Sequence, residues 1–351
     1  MEITRITIRT IQTRREYGHI SEHQIVRVHT DEGLTGLGEM SDYQLPELPM
    51  VEHTLNELLC GRVTSEIAPI NQLLRTHDFQ ASVAPFRVAA SIDLALCDLQ
   101  GKALGVPVYE LYGGKFRDRM KVCYPIFGSG TIEDFEANIG RVKRVLDLGH
   151  DLVRYYVSGD MELDYRFLQA VRERFEGRVG FKSFDMASKF KEWETAMRYY
   201  DRLRPLEPIH VEGPSKNLDV CAEFTRRADL PVSMHVFNLE GAFSMVEKRA
   251  CDAFNVQIYG GPTYSLGLMA LAEAAGVDVL IGTDQEASIG TAGAAHMAAA
   301  APRLPFPGDP VGPVLYATDV VKKRPRYEQG FLLVPEGPGL GMELDEEWAL
   351  N

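Results

Sequence analysis

The sequence contains few cysteines, and none of them belongs to a paired motif. The five cysteines are scattered, odd in number and form no CxxC pair, which argues against both a disulfide framework and a structural zinc site. Positive charge is also in short supply, because 37 Lys and Arg residues face 50 Asp and Glu residues and give a formal net charge of −13. We therefore expect neither nucleic acid nor an anionic membrane as the main partner.

We expect neither a secretory signal nor a membrane-spanning segment. The opening stretch, MEITRITIRT, lacks the basic region and apolar run of a secretory signal. The longest run of small residues, 291–302, is short and contains His296, so it predicts a buried helix rather than a membrane span. A cytoplasmic protein is the expectation. With 351 residues, 45% apolar and 25% charged, the composition is typical of a globular protein with one large domain or two.

The first third of the chain changes from a strand pattern to a helix pattern. The segments ITRITIRTIQTR and HQIVRVHTDEGLTGLGE alternate apolar and polar residues and predict a meander of strands that turns at residues 31–33. From about residue 54 to 104 the period becomes helical. The segment RVAASIDLALCDLQGKALG predicts an amphipathic helix that ends before Gly105 and Pro107.

After Gly113 and Gly114, short β-rich runs alternate with amphipathic helical stretches. Predicted helices span about 132–148, 165–175, 192–203, 218–228, 241–248, 266–275 and 291–301. Seven such units, with a weak eighth candidate at 313–316, predict a parallel sheet closed into a barrel. An open doubly wound sheet is the alternative, but no GxGxxG opens any of the helices. The tail from about residue 327 has a turn-rich, strand-like pattern, and we expect it to return to the N-terminal domain.

Polar side chains close several successive predicted strands, which is where a parallel barrel builds its active site. Asp185, Glu212 and His235 end three consecutive strands and should converge. Because converging carboxylates repel one another unless a cation lies between them, they indicate a divalent metal site. Simpler interpretations are that Asp185 caps a helix and that His235 is a hydrogen-bonded core residue. The remaining strand-end candidates are Tyr156, Gln257 and, just beyond the seventh strand, Glu286.

The stretch DLVRYYVSGD, residues 151–160, predicts a strand with Arg154 and Tyr156 on one face and Tyr155 on the other. Strand parity counted from Asp185 directs Lys182 outward, towards the helices, unless the register is off by one. Asp284, in the loop after the seventh strand, either faces the mouth of the barrel or caps the helix that follows.

The chain resembles the enolase superfamily, within the mandelate racemase and muconate lactonizing enzyme group. The resemblance covers almost the whole chain and is most specific in VRVHTDEGLTGLGE (26–39), AASIDLALCDLQGKALGVPVYELYGG (89–114) and FNVQIYGGPTYSLGLMALAEAAGVDV (254–279). It implies an α/β fold with a modified (β/α)7β TIM barrel at 116–318. It also implies an α+β capping domain made from residues 1–115 and a C-terminal segment, 319–351, and a symmetric homo-oligomer.

The resemblance also implies the chemistry of the site. Members bind Mg²⁺ through carboxylates at the ends of the third, fourth and fifth barrel strands, and the metal holds a substrate carboxylate and stabilises the enediolate. Asp185 and Glu212 match the first two ligands, whereas His235 stands in place of the third carboxylate. Imidazole makes Mn²⁺, Fe²⁺ or Zn²⁺ alternatives to Mg²⁺. Substrate contacts are expected from the capping loop after Gly38, with Glu39, Tyr259 and Asp284 as substrate-binding residues.

The usual bases of the family are absent. Arg154 and Tyr156 stand at the two positions of the Lys-x-Lys motif, and Gln257 replaces the lysine of the sixth strand. Mandelate racemase-type members carry a His on the seventh strand and an Asp on the sixth, where this chain has Gly282 and Tyr259. The substitutions mark a divergent member of the family.

Two functions follow from this pattern. The first is a metal-dependent lyase or isomerase, similar to a dehydratase or cycloisomerase, that abstracts the α-proton of a small carboxylate such as a sugar acid. Tyr156 would transfer the proton, with its pKa lowered by Arg154 and the metal, while Gln257 and Glu286 orient the substrate; one base fits a syn-elimination better than a racemisation. The alternative is a divergent member that binds a metal or an acidic ligand in a binding, regulatory or structural role. A barrel enzyme of unrelated, metal-free chemistry is a third interpretation.

Overall fold

An antiparallel sheet covered by three helices forms the first unit of the computed structural model, which describes residues 1–15 and 18–345. Its strands are β1 (Ile3–Arg14), β2 (Ile20–Thr30) and β3 (Thr35–Met40), paired in that order, and its helices are α1 (Leu48–Leu59), α2 (Ile67–Thr76) and α3 (Pro85–Leu104). Residues such as Ile6 and Val26 are buried between the sheet and the helices. The alternating pattern of the sequence thus places one face of the sheet on the helices.

Two glycines allow β3 to lie directly on α3. A Cβ atom at Gly36 would fall 2.1 Å from the carbonyl oxygen of Ala95, and one at Gly38 would fall 1.9 Å from that of Ser91. Such approaches leave no room for any side chain. The glycines therefore set the distance between the sheet and its longest helix, and Glu39 follows directly after them.

Seven parallel strands form the second, larger unit. They follow a short helix, α4 (Val108–Leu111), and strand β4 (Arg119–Lys121). The barrel strands are β5 (Tyr124–Phe127), β6 (Leu152–Tyr156), β7 (Gly180–Asp185), β8 (His210–Glu212), β9 (Val232–His235), β10 (Ala253–Val256) and β11 (Asp278–Ile281), hydrogen-bonded in chain order. The helices between and after them are α5 (Ile132–Asp147), α6 (Met161–Arg174), α7 (Trp193–Leu203), α8 (Leu218–Thr225), α9 (Leu239–Lys248), α10 (Pro262–Ala275) and α11 (Ser288–Ala300). The predicted βα alternation and TIM-barrel fold class are confirmed.

The eighth position of the barrel is not at 313–316, where the sequence placed it. Those residues begin within a short helix, α12 (Gly312–Leu315). Gly308 and Asp309 fill the position instead, because the N–H of Gly308 donates to the carbonyl of Lys121 (2.8 Å) and that of Asp309 donates to the carbonyl of Ile281 (2.9 Å). Two residues are too few for a strand pattern to be read, yet they place the Asp309 side chain inside the barrel.

A β-bulge at Lys182 reverses the direction predicted for this side chain. In the pairing of β6 with β7, Val153 lies opposite Phe181, but Arg154 lies opposite Ser183, so Lys182 is the extra residue. A bulge of one residue shifts the alternation of inward and outward side chains. Lys182 is fully buried, with Nζ 2.6 Å from Oδ1 of Asp309, and the prediction that it points outward is wrong.

The C-terminal tail joins the two units. Strands β12 (Tyr327–Glu328) and β13 (Phe331–Leu333) extend from β4 in the order β12-β13-β4. Further on, the N–H of Leu340 donates to Asp98 of α3 (2.8 Å). The tail thus returns to the capping helices, as predicted. The last six residues of the predicted segment 319–351 lie outside the described residues.

The structure bears on two expectations from the sequence, that the protein has no disulfide framework and no membrane-spanning helix. All five cysteines are free thiols; four are buried, and only Cys60 is exposed. Among residues 1–15 and 18–345, no helix has the length and apolar character needed to cross a bilayer. The absence of a disulfide framework agrees with the scattered spacing of the cysteines.

Candidate active site

A cavity of about 470 Å³ opens at the carboxyl ends of the barrel strands, beneath the capping domain. This barrel cavity has the size of an ordinary small-molecule site. The capping domain contributes Asp42 and Arg87, so the loop after β3 does reach the site. The predicted site residues that line it are Arg154, Tyr156, Asp185, His235, Gln257, Tyr259 and Asp284.

Strand β6 presents its two faces as the sequence predicted. Arg154 and Tyr156 line the cavity, with the guanidinium carbon 4.5 Å from the centre of the Tyr156 ring. Tyr155 points the other way, where it stacks on Phe167 of α6 and donates a hydrogen bond to Asp164 (2.7 Å). The prediction for this strand is confirmed, and it places a permanent cation and a phenol side by side in the cavity.

Five charged side chains form a buried cluster beneath the cavity: Arg154, Lys182, Asp185, Glu212 and Asp309. Nη2 of Arg154 lies 2.7 Å from Oδ2 of Asp185 and 3.4 Å from Oε1 of Glu212, while Nη1 lies 3.1 Å from Oδ2 of Asp309. Burial alone would lower the pKa of Arg154, but Glu212 and the other carboxylates raise it well above its ordinary value. We call this set the charge cluster; its central member is Arg154.

Glu212 is the acceptor that joins the charge cluster to His235. Burial would raise its pKa, yet Arg154 and Lys182 hold the pKa well below its usual range, so Glu212 is a carboxylate. Its Oε1 lies 2.9 Å from Nε2 of His235 and accepts from the amide of Asn255 (2.9 Å). The hydrogen bond between the Glu212 carboxylate and His235 is therefore charge-assisted, and it orients the imidazole.

The tautomer of His235 follows from its second neighbour. The amide nitrogen of Gln257 donates to the carbonyl of Thr283 (3.0 Å) and lies 2.9 Å from Nδ1 of His235. An NH₂ group can only donate, so Nδ1 accepts and Nε2 carries the hydrogen that points to Glu212. The side chain of His235 is 28% exposed, which places a carboxylate-oriented imidazole at the surface of the cavity.

The predicted metal centre does not match this arrangement. Oδ2 of Asp185 accepts two N–H groups of Arg154, and Oδ1 accepts the backbone N–H of Ala187 (2.7 Å). Across the described part of the chain, no cluster of three or more His, Cys, Asp or Glu side chains could hold a metal ion. The guanidinium lies where the sequence led us to expect the ion, so Asp185, Glu212 and His235 as arranged do not fit a divalent metal.

Tyr156 is a phenol rather than the predicted phenolate. Burial raises its pKa well above 10, and although Arg154 opposes this, the nearby Asp185, Glu212 and Asp309 reinforce it. The sequence had suggested the opposite sign because it showed the arginine but not the three carboxylates around it. A neutral phenol is a proton donor, so Tyr156 is suited to act as a general acid.

Glu39 and Glu286, which the sequence assigned to substrate binding and orientation, do not line the cavity. Glu39 is buried against the first turn of α11, where its carboxylate accepts the N–H groups of Ala287 (2.7 Å) and Gly290 (2.8 Å) and contacts His23 (2.9 Å). Glu286 is also fully buried and accepts from Thr283 and from the N–H of Asp284 (2.8 Å). Their positions at a strand end and in a loop could not distinguish them from cavity residues in the sequence. In the structure, both carboxylates stabilise the loop between β11 and α11.

Glu286 gives the protein a specific pH dependence. Burial, aided by Asp284, raises its pKa from 4.5 to about 7, so the folded state binds this proton more tightly than the unfolded state. Its contribution to stability is complete below pH 4.5, is lost as the pH rises through about 7, and corresponds to about 3 kcal/mol. We expect Glu286→Gln to flatten this fall in the free energy of unfolding, measured by urea denaturation at a series of pH values. The exposed Glu57→Gln is the control, and overlapping profiles for wild type and Glu286→Gln would contradict the assignment.

The mouth of the cavity is built around a residue that the sequence did not reveal. Arg87, in the first turn of α3, forms an ion pair with Asp284, and its guanidinium carbon lies 4.8 Å from the centre of the Tyr259 ring. An arginine in the first turn of a helix interacts unfavourably with the helix dipole. Its presence at position 87 therefore suggests an acidic partner elsewhere in the chain, and this was the one sign of Arg87 that the sequence offered. Gln257, Tyr259 and Asp284 do line the cavity with it.

The seventh strand has no room for a base. A Cβ atom at Gly282 would lie 1.7 Å from Oδ1 of Asn255. Asn255 in turn donates to Glu212 (2.9 Å). The glycine at position 282 thus leaves the space that Asn255 needs to bind Glu212 of the charge cluster. A histidine at position 282 would displace the residue that orients Glu212.

Comparisons with known proteins identify the family. Residues 4–113 match the model described as "Mandelate racemase / muconate lactonizing enzyme, N-terminal domain", and residues 139–348 match "Enolase C-terminal domain-like". The chain belongs to the mandelate racemase and muconate lactonizing enzyme group of the enolase superfamily. Members of this group use a divalent metal, typically Mg²⁺.

Similar proteins extend over nearly the full chain. A chloromuconate cycloisomerase of Cupriavidus pinatubonensis is 30% identical over 98% of this chain and 95% of its own. An N-succinyl-L-Arg/Lys racemase of Bacillus cereus is 26% identical over 94% and 90%. The crystal structure of a muconate cycloisomerase from Pseudomonas fluorescens superposes with a TM-score of 0.87 at 25% identity, covering 99% and 98%. The chain is an enzyme of the lyase and isomerase type that this group contains.

Proposed function

We propose that this enzyme is a lyase or isomerase that removes the proton α to the carboxylate of a small monocarboxylic acid, such as a sugar acid. One observation carries the proposal: His235, oriented by Glu212, and the phenol of Tyr156 line the same cavity as the cation Arg154. A base, an acid and a positive charge are the three components that formation and collapse of an enediolate need.

The charges of the cavity favour a substrate with one carboxylate. Arg154 and Arg87 line it together with three aspartates, Asp42, Asp185 and Asp284. Arg154 attracts the carboxylate, whereas a second carboxylate near the mouth would face Asp42 and Asp284. Burial and the adjacent Glu212 raise the pKa of Asp185, which reflects the negative charge already present beside Arg154. The hydroxyl groups of a sugar acid suit the mouth better than a second anion.

His235 is the proposed base. Its Nε2–H bond to Glu212 stabilises the imidazolium that forms when Nδ1 takes a proton, as a carboxylate does for histidine in other acid–base sites. Gln257 must release Nδ1 first, and its other N–H already has the Thr283 carbonyl as a partner. The α-proton therefore passes to Nδ1, and its electron pair remains on the substrate as the enediolate beside Arg154.

Tyr156 is the proposed acid. In a lyase it protonates the β-hydroxyl as the enediolate expels it, which releases water and leaves a double bond; in an isomerase it returns a proton to carbon. Its raised pKa keeps the proton in place until negative charge develops next to it. Two separate groups thus replace the single base expected from the sequence.

Solvent exchange tests this function whatever the final product is, because it follows the first proton transfer. The wild-type enzyme is incubated in D₂O with a panel of sugar acids, N-acyl amino acids and, as a dicarboxylate, muconate, and the α-proton signal is followed by ¹H NMR. We expect exchange or elimination with a monocarboxylate and none with muconate. For elimination substrates, Tyr156→Phe should lose elimination and retain α-proton exchange, because Tyr156 acts after the enediolate has formed. Tyr155→Phe, the same change on the opposite face of β6, should retain both. Turnover of muconate alone would overturn the proposed substrate class.

The opposing proposal is the one that the family resemblance implies, with Mg²⁺ held by Asp185, Glu212 and His235 and the substrate carboxylate bound to it. Both proposals predict exchange of the α-proton. They differ in the identity of the cation, which the next experiments address directly.

A further inference from the structure

The two carboxylates that the family resemblance assigns to a metal are already bound to a side-chain cation. Arg154 donates two hydrogen bonds to Asp185, from Nη2 (2.7 Å) and Nε (3.2 Å), and its Nη2 lies 3.4 Å from Glu212. Its side chain is only 5% exposed. The guanidinium therefore lies within the site rather than at its edge.

Each side chain of the expected ligand set already has hydrogen-bond partners. Oε1 of Glu212 accepts hydrogen bonds from His235 and Asn255. Oε2 accepts one from Ser183 (3.4 Å) and lies 3.8 Å from Nζ of Lys182. His235 donates its Nε2–H to Glu212 and turns the lone pair of Nδ1 towards Gln257. A metal ligand must offer a lone pair that no other donor occupies. Oε1 of Glu212 and Nδ1 of His235 have their acceptor sites filled, so an ion bound to these two atoms would have to displace the hydrogen bonds from Asn255 and Gln257.

The charge balance removes the need for a dication. Arg154 and Lys182 bring two positive charges to the three carboxylates Asp185, Glu212 and Asp309, which leaves the charge cluster within one unit of neutrality. A guanidinium cannot be deprotonated and is tethered to β6. To enter, a metal would have to strip Arg154 of partners that it needs while buried, which is the costly way to break a buried ion pair.

We propose that Arg154 takes the place of the divalent cation in this enzyme, so that the Asp185–Glu212 pair is a guanidinium site and the wild-type protein binds no metal there. The inference deepens the proposed function, since it names the cation of the same cavity. Arg154 then provides the positive charge that faces the substrate carboxylate and the developing enediolate.

Metal binding is the direct test, and it does not depend on activity. Wild-type protein is stripped with EDTA, dialysed against millimolar MgCl₂ or MnCl₂, and measured by elemental analysis and by thermal denaturation. We expect no stoichiometric metal and no rise in melting temperature. One metal per chain, with a saturable rise in melting temperature that Asp185→Asn abolishes, would overturn the proposal.

Variants of Arg154 with and without a positive charge provide a second test. Arg154→Ala frees the oxygens of Asp185 and Glu212, and we expect it to gain Mn²⁺ binding and a rise of several degrees in melting temperature with the ion, whereas Arg154→Lys, which keeps the charge, should not. Arg154→Met serves if the alanine variant does not fold, because it fills much of the same volume without a charge or a hydrogen-bond donor. A folded, charge-neutral variant that still binds no Mn²⁺ would contradict the proposal, since something other than the guanidinium would then exclude the metal.

Discussion

His235→Asn is expected to lower kcat by about 10²–10⁴-fold, the usual effect of removing a positioned acid–base group, with KM changed only a few-fold. Asparagine keeps a polar side chain near Glu212 and Gln257 but cannot accept the α-proton. The measurement is steady-state kinetics on the substrate identified by solvent exchange. The change should fall on kcat because His235 acts after the substrate has bound.

Phe237→Leu is the matched control for this experiment. Phe237 lines the same cavity, and its ring centre lies 6.1 Å from that of His235, but it has no proton to exchange. We expect this variant to change KM and to leave kcat within a few-fold of wild type. If His235→Asn affects only KM in the same way, then His235 is a binding residue and the proposed base lies elsewhere.

Lys182→Met should reduce the free energy of unfolding by about 3–5 kcal/mol, the cost of removing one partner from a buried ion pair. Lys182 is fully buried, with Nζ 2.6 Å from Asp309 and 3.8 Å from Glu212. Without it, Asp309 and Glu212 share the single guanidinium of Arg154. Urea denaturation monitored by circular dichroism provides the measurement.

Two further variants separate loss of charge from loss of packing. Lys143→Met, on the exposed face of α5 where Lys143 pairs with Asp147, should cost about 1 kcal/mol or less. The double variant Lys182→Met, Asp309→Asn should recover part of the stability lost in Lys182→Met, because it removes the unpaired negative charge. A loss for Lys182→Met as small as that of the surface control would show that the lysine is not held by the buried carboxylates.

Much of the barrel could be predicted because each of its signals is local. Alternating βα runs gave the strands and helices, and the two-residue period of β6 placed Arg154 and Tyr156 opposite Tyr155. Strand ends likewise identified Asp185, Glu212, His235 and Gln257 as neighbours, which they are. These features depend only on residues near one another in the chain and on the rule that parallel strands end at one edge.

The electrostatics of the site could not be predicted, because they depend on contacts between distant segments. Asp309 contacts Arg154 and Lys182 from a two-residue segment, 308–309, that has no sequence pattern of its own. A single bulge turns Lys182 into the barrel. Because the positions of Asp309 and Lys182 could not be predicted, the carboxylates were expected to need a cation from outside the chain, and we predicted a metal. For the same reason, the pKa of Tyr156 was predicted to shift in the wrong direction.

The most direct test of the account is α-proton exchange in D₂O by the EDTA-stripped wild-type enzyme, with His235→Asn measured beside it. The account predicts that the wild type exchanges the α-proton of a bound monocarboxylate in EDTA, that added Mg²⁺ does not change the rate, and that His235→Asn loses the exchange. Exchange that ceases in EDTA and returns with Mg²⁺ would contradict the role of Arg154. If no monocarboxylate that binds the cavity exchanged its α-proton under either condition, the proposed function itself would be contradicted.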